Sequence, residues 1–153
     1  MSGTVMIAEV LLRLVIATAA GALIGIYFEL TDRPGGLSTH VLTAVGATLF
    51  CLSALRASEG SKDAVHAIQG IASGVGFIGA AAVLRQGTSV RGITTAASIW
   101  ITAAVGCIAG LGAKGPAIVC AVFVAALIHV VYRAADALKR FRHRERSETP
   151  DAQ

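Results

Sequence analysis

Gly92-Ile-Thr-Thr-Ala-Ala-Ser-Ile-Trp-Ile-Thr-Ala-Ala-Val-Gly-Cys-Ile-Ala-Gly-Leu-Gly-Ala113 runs for 22 residues without an Asp, Glu, Lys or Arg. Coiled as an α-helix it is about 33 Å long, enough to cross a hydrocarbon core of about 30 Å. It predicts a membrane-spanning helix. Reading outward, the pattern returns on both sides. Lys114-Gly-Pro116 breaks the chain, and residues 115–132 form the next apolar run, with His129 near its end. Upstream, the polar turn from Arg85 to Arg91 separates it from residues 67–84, which hold no formal charge. Before that come Ser58-Glu-Gly-Ser-Lys-Asp63, residues 39–55, the breaker Thr31-Asp-Arg-Pro-Gly-Gly36 and residues 8–28. Arg13 and His40 shorten the first two runs. Both still count as spans, because a soluble helix beside three strong spans would leave its apolar face without a partner. The fold expected is all-α: a polytopic membrane protein of about five glycine-rich transmembrane helices, with a short basic interfacial helix at the C-terminus.

Composition agrees. Of 153 residues, 14% are charged and 55% hydrophobic, where a soluble domain carries about 25% charge. A mean hydropathy of +0.72 excludes an ordinary water-facing surface. One membrane domain is expected over residues 1–135 and a basic cytoplasmic tail over 136–153. Ala17-Thr18-Ala19 resembles a signal cleavage site, but no Lys or Arg precedes Arg13 and Glu9 is acidic, so the first span is expected to be retained. Cys51, Cys107 and Cys120 lie in apolar runs at no zinc or redox spacing and read as small apolar fillers.

The net charge of +4 is unevenly spread. Arg133, Lys139, Arg140, Arg142, Arg144 and Arg146 follow the last span, which suits anionic lipid rather than nucleic acid. With that tail in the cytoplasm, Arg33, Arg85 and Arg91 fall on the same side, while Arg56, Lys62 and Lys114 fall outside. The N-terminus is then periplasmic. Val131, Ala134, Leu138 and Phe141 share one face, so the tail is expected to bend into the interface as an amphipathic helix.

Gly74-Val-Gly76-Phe-Ile-Gly79 matches a dinucleotide-binding fingerprint, which needs a strand before it and a helix after it. It lies instead within an apolar span, with no acid about 20 residues on, so helix packing is the better reading. Lipid gives helices no hydrophobic reason to associate, and small residues allow close backbone approach. Gly21 and Gly25, Gly70 and Gly74, and Gly106 and Gly110 supply three G-x-x-x-G pairs. Gly76 and Gly79 extend the second, which makes residues 67–84 the expected central helix.

The polar candidates are few. Arg13, with Glu9 one turn earlier, is either a structural ion pair or a functional site within the bilayer. Glu29, Asp32 and His40 surround the first turn, as solvated charge or as ligands for a hard cation such as Mg²⁺. Thr94 and Thr95, with Ser98, open a span beside Arg85 and Arg91, for capping and packing or for an anionic headgroup. No Asp or Glu lies at mid-depth, against a carboxylate-lined cation path. No nucleophile with a base, metal-ligand cluster or phosphate loop emerges. The expectation is no enzyme, no catalytic residue, no metal and no cofactor.

Gly74-Val-Gly-Phe-Ile-Gly-Ala80, Arg91-Gly-Ile-Thr-Thr-Ala-Ala-Ser-Ile-Trp100 and Gly106-Cys-Ile-Ala-Gly-Leu-Gly112 together closely resemble the MgtC/SapB membrane-protein family. Gly21-Ala-Leu-Ile-Gly25, Gly36-Leu-Ser-Thr-His40 and Ala44-Val-Gly-Ala47 are similar to its first two spans. The resemblance covers roughly residues 12–131. It implies a bacterial inner-membrane protein linked to adaptation to low Mg²⁺ and to survival inside host cells, hence virulence-associated. The family's Glu-Arg pair is replaced here by Tyr27 and Phe28, and its turn arginine by Ser38. Two functions are expected to compete: regulation of another membrane protein by helix packing, with self-association as a variant, and a transporter or channel subunit for an ion or small solute.

Overall fold

Low-charge runs of this length satisfy their backbone groups internally, which in lipid means helices. The computed structural model describes residues 3–57, 61–86 and 89–148. Within them lie α1 (Gly3–Leu30), α2 (Leu37–Ala57), α3 (Ser61–Ala81), α4 (Ile93–Gly110) and α5 (Lys114–Glu148). The turn between α3 and α4 is more ordered than the simple loop expected. It is an antiparallel hairpin of β1 (Leu84–Gln86) and β2 (Ser89–Arg91), with Leu84 opposite Arg91 and Gln86 opposite Ser89. Gly92 joins hairpin to helix at φ 91°, beside the Ala82 carbonyl. A residue with a Cβ would collide there and adopt that φ with strain.

The α1, α2, α4 and α5 helices are long and apolar enough to span a bilayer. The apolar part of α3, Val65–Ala81, is shorter, about 26 Å at the α-helical rise. The expectation that this segment is the central helix is corrected. It packs against α2 and α4 at one edge, whereas α1 and α4 each adjoin α2, α5 and one another. The centre is α4: 56% of its span is buried, against 22–28% in the other three. Gly70, Gly74 and Gly76 show why. A Cβ built on any of them meets nothing within 4 Å, so the small face they form is open. Phe77 beside them is 82% exposed. Only Gly79 of this set lies against a neighbour, Ala96 of α4.

The other glycine pairs face backbone. Gly21 and Gly25 lie on the first turns of α2, against His40, Val41 and Leu37. Gly106 lies on Ala44, and Gly110 on Thr48 and Cys51. Thr48 Oγ1 donates 2.8 Å to the Gly106 carbonyl and ties the same α2–α4 seam. Four alanines, Ala17, Ala44, Ala109 and Ala117, form a buried cluster drawn from α1, α2, α4 and α5. Cys51 and Cys107 are buried with Ile71, Val75 and Ile99 in the core shared by α2, α3 and α4.

These contacts fix the path. The starts of α2 and α4 lie together, as do their later turns, so the two helices run parallel. The intervening α3 must return between them, and the chain traverses the bundle five times. The N-terminus of α1 and the C-terminus of α5 therefore lie toward opposite ends. The helix expected after Tyr132 is present and follows without a break: α5 runs as one helix of 35 residues. At about 52 Å it outruns the bilayer core, and its basic half extends the span itself. The tail side chains from Lys139 to Arg146 lie outside the described residues.

Candidate functional site

Polar side chains gather at the two ends of the bundle. At one end, Arg13 reaches from α1 to the turn between α4 and α5. Its Nη1 donates 2.7 Å to the Gly110 carbonyl, and its Nε donates 3.0 Å to Glu9 Oε1. Lys114 Nζ donates 2.6 Å to Glu9 Oε2. A helix C-terminus leaves carbonyls without intrahelical partners and carries partial negative charge. Arg13 answers both needs for α4. Gly112, at φ 91°, brings the turn against the guanidinium, 2.8 Å from where its Cβ would stand to Nη2. Glu9, one turn earlier on α1, is the ion-pair partner of this charge.

At the other end the centre is His40, fully buried in the first turn of α2. Its Nδ1 lies 3.0 Å from the Gly36 carbonyl, and its Nε2 lies 3.0 Å from Ser98 Oγ on α4. Ser98 Oγ also lies 2.7 Å from the Thr95 carbonyl, and Thr102 Oγ1 donates 2.8 Å to the Ser98 carbonyl. Phe28 stacks on the imidazole, with ring centroids 4.7 Å apart and planes at 25°. Tyr132 of α5 meets the edge of Phe28 and stacks on Tyr27 at 5.1 Å, while the Arg33 guanidinium sits 4.0 Å from the Tyr132 ring centroid. Tyr27 and Phe28 thus place an aromatic cluster where the family resemblance leads one to expect a Glu-Arg pair.

The remaining predicted residues are dispersed. Glu29 Oε2 accepts 2.9 Å from the Leu37 backbone N–H and caps α2, with its carboxylate against Gly36. Asp32 is exposed in the turn, at φ 50°. Glu29, Asp32 and His40 therefore point to three different places. Among the described residues, no three His, Cys, Asp or Glu side chains stand together for a metal ion. Thr95 is buried, with its methyl at Gly35, and Thr94 is exposed. The backbones of Arg85 and Arg91 lie in the hairpin, and their side chains lie outside the described residues. Sequence reasoning missed the pairing of His40 with Ser98, because 58 residues separate them and no local spacing joins them. It also missed Thr48 and Lys114 as partners. A lone hydroxyl within an apolar run was the available signal for Thr48.

Between α2 and the open face of α3 lies a groove of about 670 Å³, lined by Leu42, Gly46, Phe50, Gly70, Gly74 and Ile78 among others. Gly46, like Gly70 and Gly74, has nothing within 4 Å of a built Cβ. On the other flank of α3, Trp100 Nε1 donates 3.2 Å to the Ala72 carbonyl.

Comparison with known proteins places these features in context. The MgtC family matches residues 14–137. The chain is 42% identical to Protein MgtC of Salmonella typhimurium over 102 residues, 67% of this chain and 43% of that protein. It is 41% identical to Protein MgtC of Brucella abortus over 107 residues, 70% of this chain and 44% of that protein. It is 40% identical to Protein SrpB of Synechococcus elongatus over 113 residues, 65% of this chain and 62% of that protein. The chain thus spans less than half the length of the Salmonella and Brucella relatives. No solved structure matches it.

Proposed function

Because the chain belongs to the MgtC family of membrane proteins, we propose that it is a non-catalytic regulator that receives a helix of another membrane protein in the α2–α3 groove. The observation that carries this reading is the state of the glycines. Gly21, Gly25, Gly106 and Gly110 each lie against a neighbouring helix, whereas Gly46, Gly70 and Gly74 line one groove and touch nothing. Glycine inside a helix costs about 0.5–1 kcal/mol relative to alanine. Close approach of a further helix would offset that cost at all three positions. Low-Mg²⁺ adaptation and survival in host cells are the settings implied by the family resemblance. The bacterial inner membrane is the proposed location, with the His40 end and the basic tail in the cytoplasm, following the Lys and Arg distribution.

A photoreactive amino acid at Leu42 or Ile78 tests the reading in native membranes. A discrete protein adduct is expected, and it should disappear when Gly70→Leu and Gly74→Leu fill the groove while abundance holds. An adduct of twice the chain's mass would identify the partner as a second copy. Adducts to lipid alone would overturn the docking role.

A further inference from the structure

The hydrogen bonds around His40 cannot all carry a proton at once unless the ring itself is charged. The Gly36 carbonyl can only accept, so the hydrogen between it and Nδ1 belongs to Nδ1. The Thr95 carbonyl can only accept, so the hydrogen in the 2.7 Å contact with Ser98 Oγ belongs to Ser98. A serine hydroxyl has one hydrogen. With that hydrogen on Thr95, the 3.0 Å contact between Ser98 Oγ and Nε2 needs a hydrogen from Nε2, and the ring is an imidazolium. With a neutral ring, Ser98 must turn its hydrogen toward Nε2 and release the Thr95 carbonyl. That carbonyl remains an acceptor in the α4 backbone ladder. Both states are satisfied with the same heavy-atom positions.

We propose that His40 is a buried proton-binding site, and that Ser98 adapts to the ring's charge by rotating one hydroxyl hydrogen. Full burial works against the charged ring, and the contacts around it work in its favour. From α1, Gly25 leaves room for the ring, and Phe28 lies against its face, where an aromatic quadrupole favours a cation. The acid on this turn is Glu29, whose carboxylate lies on the Gly36–Leu37 backbone that holds Nδ1. Asp32 is exposed in the loop, and Arg33 is engaged on Tyr132. From α4, Thr95, Ser98 and Thr102 bring hydroxyls and no titratable group in the working range. From α5, Tyr132 stands behind Phe28, and His129 meets Tyr27 rather than His40. Protonation strengthens the α2–α4 tie, because an N–H⁺ donor makes a stronger bond than a neutral one. The site is separate from the α2–α3 groove and does not depend on the docking role.

Ring-nitrogen NMR of the full chain, ¹⁵N-labelled at histidine in phosphatidylcholine nanodiscs, tests this. His66→Gln, His129→Gln and His143→Gln together leave His40 as the sole signal. As the pH is raised from acid, the ring should pass in one step from imidazolium to the neutral Nδ1–H form. Ser98→Ala removes the acceptor of the charged N–H and the donor to the neutral ring; the charged bond is the stronger of the two, so proton affinity should fall about fivefold to tenfold, moving the midpoint to lower pH. Ser98→Thr should restore it. Phe28→Leu should lower it as well, and serves where Ser98→Ala does not fold. A ring fixed in one protonation state throughout, a neutral Nε2–H form, or a midpoint unmoved by Ser98→Ala and Phe28→Leu would each overturn the proposal.

Discussion

Arg13 shows how a charge in an apolar helix is made tolerable: one end of the guanidinium holds an acid, the other a helix terminus. Arg13→Ala leaves the Gly110 carbonyl without this donor, and we expect a loss of about 1–3 kcal/mol, read as a lower unfolding midpoint in detergent. Arg13→Lys should recover part of it, since an ammonium can meet Glu9 or the carbonyl but lacks the guanidinium's fork. Thr48→Val is a gentler test on the α2–α4 seam. It removes one buried hydroxyl bond at similar volume, and within membranes such bonds average about 0.6 kcal/mol. The glycines should separate by environment. Gly106→Ala drives a Cβ into Ala44, and we expect about 1–3 kcal/mol of destabilisation from overpacking. Gly74→Ala meets open space and gains helix propensity, so it should be neutral or stabilising by up to about 1 kcal/mol. Equal losses at the two positions would contradict the open face of α3.

Among the described residues, the low-charge runs were enough to find the five helices, since length and apolarity are what the bilayer selects. Which helix lies in the middle was not legible. A G-x-x-x-G pair records that close approach is sterically allowed, not that a neighbour is there. Gly70 and Gly79 are nine residues apart, about half a turn round the helix, so one can meet α4 while the other faces away. The hairpin escaped notice because β1 and β2 have three residues each, too few for an alternating pattern. The helical tail was legible in the spacing of Val131, Ala134, Leu138 and Phe141, but its continuity with the last span was not, because a drop in hydropathy marks where a helix leaves the bilayer and says nothing of where its backbone hydrogen bonding stops. Val131 and Leu138 are exposed along that helix. Spin labels placed in turn from Leu138 to Arg142 should therefore report lipid accessibility with a helical period. Uniform fast motion in water would mean that the continuous helix does not persist there.

For the molecule as a whole, five traverses put the start of α1 and the end of α5 toward opposite ends, and the clustering of Lys and Arg is the ground for the proposed cytoplasmic end. A reporter active only in the periplasm should be silent after Arg146 and active in the loop of residues 58–63. The reverse result would invert the proposed orientation without altering the fold. The candidate site was legible only in part. His40 was singled out by residue type, but its burial and its distant partner depend on α2 and α4 running parallel. That arrangement also has a consequence for synthesis. The α1–α2 pair has everything it needs as soon as both helices have emerged, because Gly21 and Gly25 receive a helix that follows directly in the chain. The α2–α4 seam must wait until α3 has crossed back and α4 has followed, so His40 enters the bilayer 58 residues ahead of its partner. During that interval the nascent chain carries an incompletely satisfied imidazole, and arrival of Ser98 is the event that completes its hydrogen bonding.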